Sequence, residues 1–321
     1  MRTRSIQSSS GSGSRAEERS KRSETHIPVL LHEAIALLEI KHDDIVLDAT
    51  LGGAGHARAI ADLLGNKGTC IGFDLDADAI ARATSALEGS KSQVLFIKSN
   101  FRYLEKELST RNVTQINKAL FDLGWSSFQL SAGRGFSFLT DEPLLMTYAK
   151  TSDDGVLTAG MIVNTWGEES IADIIYGWGE ERYSRRIARA IVERRKIRPF
   201  QIASDLGETI KSAVPSVYRN GRLHPATRTF QALRIATNDE FGALRDGLSG
   251  AWKLLAPKGR IAVITFHSLE DRIVKELFLD WQRDGSGTRI THRAMKPSLE
   301  EIQSNPRSRS AKLRVIEKNE I

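Results

Sequence analysis

Short apolar runs alternate with stretches of helical periodicity from residue 26 onward. The predicted strands are 45–47, 69–73, 94–97 and 118–121, and the predicted helices between the first three are 57–64 and 77–87. Because these strands are apolar on both faces, helices must cover both sides of the sheet that they form. The pattern therefore predicts βαβ units and a mostly parallel sheet.

The alternation stops after Leu123. A Gly/Ser/Phe-rich loop, 124–143, leads into a long stretch that has helical periodicity and little strand signal. A long helix is expected to begin near Pro225, since proline is favoured at the first helical position. It leads to the β-rich run 259–266, and 312–316 is the predicted last strand. We therefore expect a core of residues 26–130 and 225–321, interrupted by a helical subdomain of residues 131–224.

The first 25 residues are rich in serine and have no apolar period, so we expect a disordered tail. They lack the apolar segment of a secretory signal, and three glutamates argue against a mitochondrial presequence. With six basic and three acidic side chains, this tail carries half of the net charge of +6. The pI of about 9.4 therefore does not by itself indicate a nucleic-acid partner, and local basic patches must carry that argument.

Composition excludes several classes of protein. The mean hydropathy is −0.30, and no uncharged apolar stretch approaches the roughly 18 residues of a membrane helix, so no membrane segment is predicted. The single cysteine, Cys70, can build neither a disulfide framework nor a cysteine zinc site. We expect a cytoplasmic protein with no bound metal.

A glycine-rich loop gives the strongest chemical signal. It spans 48–56, between a predicted strand and a predicted helix, and Asp74 follows at the end of the next strand. Small residues let the backbone approach a ligand at a helix N-terminus, and a carboxylate about 20 residues further on can accept hydrogen bonds from ribose hydroxyls. Arg58 stands where the dinucleotide fingerprint has its third glycine, which favours S-adenosylmethionine (SAM) over NAD. The alternatives are a tight turn without a ligand and a nicotinamide-dependent oxidoreductase.

Two more segments follow predicted strands, at the edge where open α/β sheets bind ligands. Phe101 comes after the third strand, where its ring can pack against adenine or serve as an ordinary core side chain. The segment 122–127 closes the fourth strand with a carboxylate and small polar residues. In a methyltransferase, this segment would face the donor methyl group and the acceptor atom.

With these residues in place, the chain resembles the RsmH (MraW) family of SAM-dependent 16S rRNA cytosine-N4 methyltransferases. The resemblance rests on blocks at 26–31, 48–56, 122–130, 134–137, 179–182, 224–234 and 266–272. It implies a Rossmann-like class I SAM-dependent methyltransferase core with an inserted helical subdomain. It also implies methyl transfer to N4 of a cytidine in the decoding centre (P-site) of 16S rRNA. The implied SAM contacts are Ala54, Gly55, His56, Asp74, Phe101, Asp122 and Gln129.

The chain departs from the family pattern near the expected substrate. Ser131 replaces the usual aspartate after Gln-Leu, and Leu145 and Thr147 replace the aspartate and arginine of Pro-Leu-Asp-Met-Arg-Met. These changes leave the predicted SAM contacts untouched and affect the positioning of the cytidine. They also keep open a non-catalytic SAM- and RNA-binding homologue that acts in small-subunit assembly.

Basic residues suggest where RNA would bind. Arg185, Arg186 and Arg189 lie with Arg182 on one face of a predicted helix, and a second basic cluster spans 307–314. Such a stripe is more often only a solvated face, but the resemblance implies 16S rRNA in the small ribosomal subunit as the partner. A homodimer is left open.

His267 is the remaining candidate on the substrate side. Its side chain could accept a proton or contact RNA, and it could equally cap the turn at 268–271. No general base is assigned.

Overall fold

The computed structural model describes residues 27–124, 133–148 and 155–320, and its centre is a seven-stranded sheet. The strand order is β3-β2-β1-β4-β5-β7-β6, with β7 antiparallel to both of its neighbours and the pairs from β3 to β5 parallel. The strands are β1 (Ile45–Asp48), β2 (Thr69–Asp74), β3 (Gln93–Lys98), β4 (Ile116–Asp122), β5 (Leu255–Thr265), β6 (Gly287–Arg289) and β7 (Lys312–Lys318). The four strands predicted before residue 124 are confirmed.

Helices cover the sheet and continue into a separate layer. The first four are α1 (Leu31–Leu38), α2 (Gly55–Leu63), α3 (Ala77–Ala86) and α4 (Leu104–Ser109). The next six are α5 (Ala159–Thr165), α6 (Glu168–Gly179), α7 (Ser184–Ile197), α8 (Ala203–Ala213), α9 (Ser216–Arg219) and α10 (Ala226–Asn238). The last three are α11 (Glu240–Leu254), α12 (Ser268–Arg283) and α13 (Leu299–Ser304), followed by a 3₁₀ turn at Pro306–Ser310.

Side chains alternate between two apolar cores, one on each face of the sheet. Val46 and Cys70 pack with α1, α2 and α3, whereas their neighbours Leu47 and Ile71 pack with α4, α11 and α12. Since successive residues of a strand point to opposite faces, a strand covered on both sides has to be apolar throughout. This is the physical reason for the apolar runs in the sequence.

A third apolar core lies between helices α5 to α10, and it corrects one predicted boundary. The sequence assigns residues from 225 onward to the sheet core, but Phe230 and Leu233 of α10 pack into the helical core. The single long helix predicted from Pro225 is in fact two helices, separated at Asp239, which has a left-handed φ of 46°. The chain must turn there because the apolar side chains of α11, including Leu244, face the sheet. The chain therefore returns to the sheet at Asp239.

The α/β fold class, with a Rossmann-like core and a helical subdomain, is confirmed. The sequence pattern does not predict α1, α4, β6, α12 or α13, although Pro28 precedes α1 and Gly285 precedes β6. Within the described ranges, no helix combines the length and the apolar character needed to cross a bilayer. The predicted tail, Gln129 and Ser131 lie outside the described residues.

Candidate functional site

Three neighbouring parallel strands end in aspartate. Asp74 ends β2, Asp48 ends β1 and Asp122 ends β4. In the register of the sheet, Asp48 pairs with Gly72 and Leu120, so the three carboxylates lie along one edge. A cavity of about 520 Å³ opens at this edge, and residues of both the sheet core and the helical region line it. The observed site is therefore where open α/β sheets bind their ligands.

The glycine-rich loop runs from β1 into α2 through left-handed backbone conformations at Gly52 (φ 48°) and Ala54 (φ 63°). A Cβ atom on Gly55 would lie 2.8 Å from the ring of Pro28, so glycine is required for this close approach. Gly55 and His56, two of the predicted SAM contacts, line the cavity. Ala54 does not line it, because its side chain is only 1% exposed. The backbone at Ala54 shapes the loop instead.

Asp74 has a structural role in addition to its place in the cavity wall. Its Oδ2 accepts a hydrogen bond from the Gly52 N–H at 3.0 Å, and its Oδ1 accepts one from Asp76 N–H at 2.9 Å. Burial raises the pKa of this carboxyl group above its usual range. Asp74 thus connects the end of β2 to the glycine-rich loop and leaves its remaining lone pairs for a ligand.

Asp48 and Asp122 each keep one oxygen without a hydrogen-bond partner among the described residues, Oδ2 of Asp48 and Oδ1 of Asp122. Burial raises the pKa of Asp48 to about 7 and that of Asp122 to about 8, and each is raised further by a neighbouring carboxylate. Buried acceptors without a donor are costly, so this edge favours a ligand that brings positive charge or N–H groups.

His56 connects the loop to the third aspartate. Its Nε2 lies 3.1 Å from the Val29 carbonyl oxygen, and because a carbonyl can only accept, Nε2 carries the hydrogen. Its Nδ1 lies 3.5 Å from Oδ2 of Asp122. The buried imidazole ring therefore lies beside Asp122 at the cavity wall.

Phe101 fits both of its sequence interpretations. It is half-buried, packs edge-on against Phe121 at 5.7 Å between ring centroids, and lines the cavity at the end of β3. One part of the ring therefore belongs to the core beneath the sheet, and another part faces the ligand space.

The helical region contributes aromatic side chains to the cavity lining, and we define this aromatic wall as Phe136, Phe138, Tyr148 and Phe230. Tyr148 stacks on Phe136 with 5.8 Å between centroids and 18° between planes. Its hydroxyl donates to Glu240 Oε1 at 2.7 Å. This wall is not among the features predicted from the sequence, although the aromatic residues between 136 and 148 are a signal for it.

The Glu240 carboxylate that accepts the Tyr148 hydroxyl also forms a buried ion pair with Arg234. Arg234 donates from Nε and Nη2 to the two oxygens of Glu240, both at 2.8 Å, and the two side chains are only 10% and 13% exposed. The pair spans Asp239, the point where the chain leaves the helical region for the sheet core. It therefore stabilises the relative position of α10 and α11.

Two departures from the family pattern, Leu145 and Thr147, lie in the described residues next to cavity residues. Thr147 is buried at 1% exposure and does not line the cavity, whereas Met146 and Tyr148 on either side of it do. Leu145 is half-buried and also lies outside the cavity lining. The substitutions thus alter the support of the aromatic wall and leave the sheet edge unchanged.

Comparison with known proteins decides the family. The model of the MraW methylase family matches residues 23–319. The chain belongs to this family. A protein of Paenibacillus sp. strain JDR-2 named ribosomal RNA small subunit methyltransferase H is 45% identical over 315 residues, covering 91% of this chain and 99% of the relative. A protein of the same name from Brevibacillus brevis is 43% identical over 309 residues, covering 91% of this chain and 98% of the relative.

Methylases of this family use SAM as the methyl donor, and the cavity fits it. SAM carries a ribose, a sulfonium cation and an amino-acid group. The loop backbone, the lone pairs of Asp74 and Oδ1 of Asp122, which has no hydrogen-bond partner among the described residues, can receive such a ligand. Asp48 lies buried behind the cavity wall. The absence of the third glycine of the dinucleotide fingerprint is consistent with this cofactor.

His267 lines the cavity and also caps α12. Its Nδ1 accepts the Glu270 N–H at 3.3 Å, and the Glu270 carboxylate accepts the His267 N–H in return. The predicted capping role is confirmed. Glu240, His267 and Glu270 each place one ligand atom within 4.8 Å of the others, but Arg234 already occupies Glu240. We therefore assign no metal to this group.

The predicted RNA-binding arginines lie away from the cavity, on the exposed face of α7. Arg185 and Arg186 form no ion pair with any described residue, and Arg189 lies 3.5 Å from Glu168. The other basic residues are more often engaged: Arg194 and Arg198 pair with Asp205, and Lys312 and Arg314 pair with Asp271. These four basic side chains thus contact carboxylates of the protein itself.

Proposed function

We propose that this protein transfers a methyl group from SAM to the N4 amine of a cytidine in the decoding centre (P-site) of 16S rRNA, within the small ribosomal subunit. One observation carries the proposal: a single cavity joins the aspartate-lined sheet edge to the aromatic wall of the helical region. The printed names of the relatives, which are small-subunit rRNA methyltransferases, support the RNA substrate.

The sheet edge holds the cofactor in this proposal. When bound, SAM supplies an electrophilic methyl group on a sulfonium cation. Asp74 accepts the ribose hydroxyls, Phe101 packs against adenine, and Gly55 and His56 frame the loop beside the amino-acid group. Asp122 ends β4 and lines the same cavity as the aromatic wall. Its unpartnered Oδ1 gives the carboxylate an acceptor at the reacting end of the site.

The aromatic wall receives the base. A cytosine must leave its stack to reach a methyl group inside a cavity, and stacking on aromatic side chains offsets the cost of this step. The exocyclic amine is a poor nucleophile because its lone pair is delocalised into the ring. Orientation must therefore supply much of the rate, and a wall fixed by the Tyr148–Glu240 hydrogen bond can provide it.

The amine also has to lose a proton, and the geometry argues against His267 as the acceptor. Its Nδ1 already accepts the Glu270 N–H, which leaves Nε2 to carry the hydrogen in the neutral ring. Positioning of the amine, without an assigned general base, is thus the mechanism that these residues support.

Phosphate contacts would come from α7. The exposed guanidinium groups of Arg185 and Arg186 lie one helical turn from Arg182, which stacks over the rings of Tyr183 and Tyr218 at 4.9 and 5.1 Å. Such a surface can bind the RNA backbone by releasing counterions, independently of sequence.

The test is methylation by the purified full-length protein. Unmethylated 30S subunits and free 16S rRNA are incubated with SAM that carries an isotopically labelled methyl group, and modified nucleosides are mapped by mass spectrometry. The proposal expects one N4-methylcytidine, located in the P-site region. A protein heated before the assay serves as the background control.

Two results would contradict the proposal. Label at a different base or atom would show that the protein methylates RNA but would reject the cytosine-N4 assignment. No label on either RNA preparation, with micromolar SAM binding in the same sample, would favour the non-catalytic assembly factor.

A further inference from the structure

A C-terminal segment forms one rim of the cavity. Asn305 Nδ2 donates to the Ile27 carbonyl oxygen at 3.1 Å, and the Leu30 N–H donates to Glu301 Oε1 at 2.8 Å. These contacts fix residues 299–310 against residues 27–30, although the two segments are about as far apart in sequence as the chain allows. As a result, Arg307 lines the same cavity as the glycine-rich loop, with an exposed side chain.

The position of the rim relative to the sheet determines which part of the cofactor it meets. Asp74 and Phe101, the residues suited to the nucleoside, follow β2 and β3 on one side of the loop. Residues 27–30 contact the other side, where Pro28 lies against Gly55 and the Val29 carbonyl oxygen accepts from His56. Since the nucleoside and the amino acid are opposite ends of SAM, the amino-acid end extends toward this rim.

Arg307 is one of the few positively charged side chains in a mainly acidic cavity lining. The cavity wall contains four carboxylates, those of Asp74, Asp122, Glu240 and Glu270, and two described arginines, Arg234 and Arg307. Arg234 is buried in its two-pronged contact with Glu240. An α-carboxylate entering this acidic cavity needs a positive partner, and a guanidinium matches a carboxylate with two parallel hydrogen bonds.

We propose that Arg307 binds the α-carboxylate of the methionyl group of SAM. The inference rests on the cofactor part of the proposed function and is independent of which RNA atom is methylated. An RNA phosphate is the competing anion. The segment that carries Arg307 contacts residues 27–30, which lie against the glycine-rich loop, and this position favours the cofactor.

The test is a double-mutant cycle between this residue and the carboxylate itself. Calorimetry measures the affinities of wild type and Arg307→Ala for SAM and for decarboxylated SAM, which lacks only the carboxylate. Wild type should bind SAM more tightly than decarboxylated SAM, and Arg307→Ala should reduce this preference about tenfold. A tenfold change is what the loss of one charge-assisted hydrogen bond would cause. Arg307→Lys should retain part of the preference.

Arg309→Ala is the matched control, because Arg309 belongs to the same 3₁₀ turn, is exposed and does not line the cavity. Its affinity ratio should equal that of wild type. Two results would overturn the proposal: an equal loss of affinity for both ligands in Arg307→Ala, or unchanged SAM affinity together with a weaker salt dependence of RNA binding. The latter would assign Arg307 to a phosphate. The cycle measures only cofactor binding, so its result stands even if the protein does not methylate cytidine.

Discussion

The sheet edge and the helical region differ in whether their charged side chains have partners within the protein. At the sheet edge, Asp48 and Asp122 are buried with raised pKa values, and each has one oxygen without a hydrogen-bond partner among the described residues. Such buried acceptors cost free energy. In the helical region, Arg194, Arg198 and Arg234 are paired with carboxylates. One region keeps its polar groups available for a ligand, and the other uses most of its charges for stability.

This difference explains why charge runs in a sequence are weak indicators of RNA binding. Arg194, Arg195 and Arg198 look like a basic surface in sequence, yet each donates to a group of the protein itself. A functional role is better indicated by a charged side chain that has no partner among the described residues. Arg185 and Arg186 on α7 fulfil that criterion, as do Asp48 and Asp122, each of which has one oxygen without a partner among the described residues.

Removing the ion pair between the two regions should have the largest effect. Arg234→Met leaves the Glu240 carboxylate buried without its partner, which should lower the free energy of unfolding by about 3–5 kcal/mol. Denaturant titration measures this change. The double variant Arg234→Met, Glu240→Gln should recover most of the loss, because no isolated charge remains. A single variant as stable as wild type would show that the pair does not hold α10 against α11.

The second prediction concerns the sheet edge. Asp74→Ala should weaken SAM binding by roughly 2–4 kcal/mol, since it removes two hydrogen bonds to the ribose and releases the Gly52 N–H. Asp74→Asn, which keeps one acceptor oxygen, should lose less. Asp43→Ala, at an exposed carboxylate before β1, is the control and should bind SAM normally. Calorimetric affinity of Asp74→Ala within about threefold of wild type would remove Asp74 from the ribose site.

The sheet edge could be predicted from the sequence better than the aromatic wall. The reason is the separation along the chain between the residues that determine each feature. Strands β1 to β4, the loop and Asp74 follow from local periodicity and short spacings. Tyr148 acquires its role only through Asn238 and Glu240, about ninety residues later, whose positions depend on the break at Asp239. Arg307 likewise reaches the cavity through contacts with Ile27 and Leu30 that no local pattern indicates.

The unpartnered aspartates predict opposite effects of pH on binding and on stability. Their folded pKa values, about 7 for Asp48 and about 8 for Asp122, lie above that of an unfolded aspartate, so the folded protein binds protons more tightly than the unfolded chain. Stability of the ligand-free protein should therefore decrease as pH rises from about 4 to 8. Affinity for the sulfonium cation should instead increase, by roughly tenfold between about pH 6.5 and 8.5, as the carboxylates ionise.

Calorimetry and thermal unfolding at several pH values check both slopes. S-adenosylhomocysteine, which lacks the sulfonium charge, is the control ligand, and its affinity should depend less on pH. Equal pH slopes for the two ligands would mean that the aspartates do not respond to the cation.

The smallest expected effect compares free and paired arginines within the helical region. Replacing Arg185 and Arg186 together by alanine should reduce the log–log salt slope of 16S rRNA binding by about 1.4 to 1.8, since each lost phosphate contact contributes roughly 0.7 to 0.9. SAM affinity should not change, because α7 lies outside the cavity. Replacing Arg194 and Arg198 removes the same charge, but Asp205 already binds both, so the slope should change much less. Equal reductions in the two double variants would show that RNA responds to the net charge of the helical region and not to the exposed face of α7.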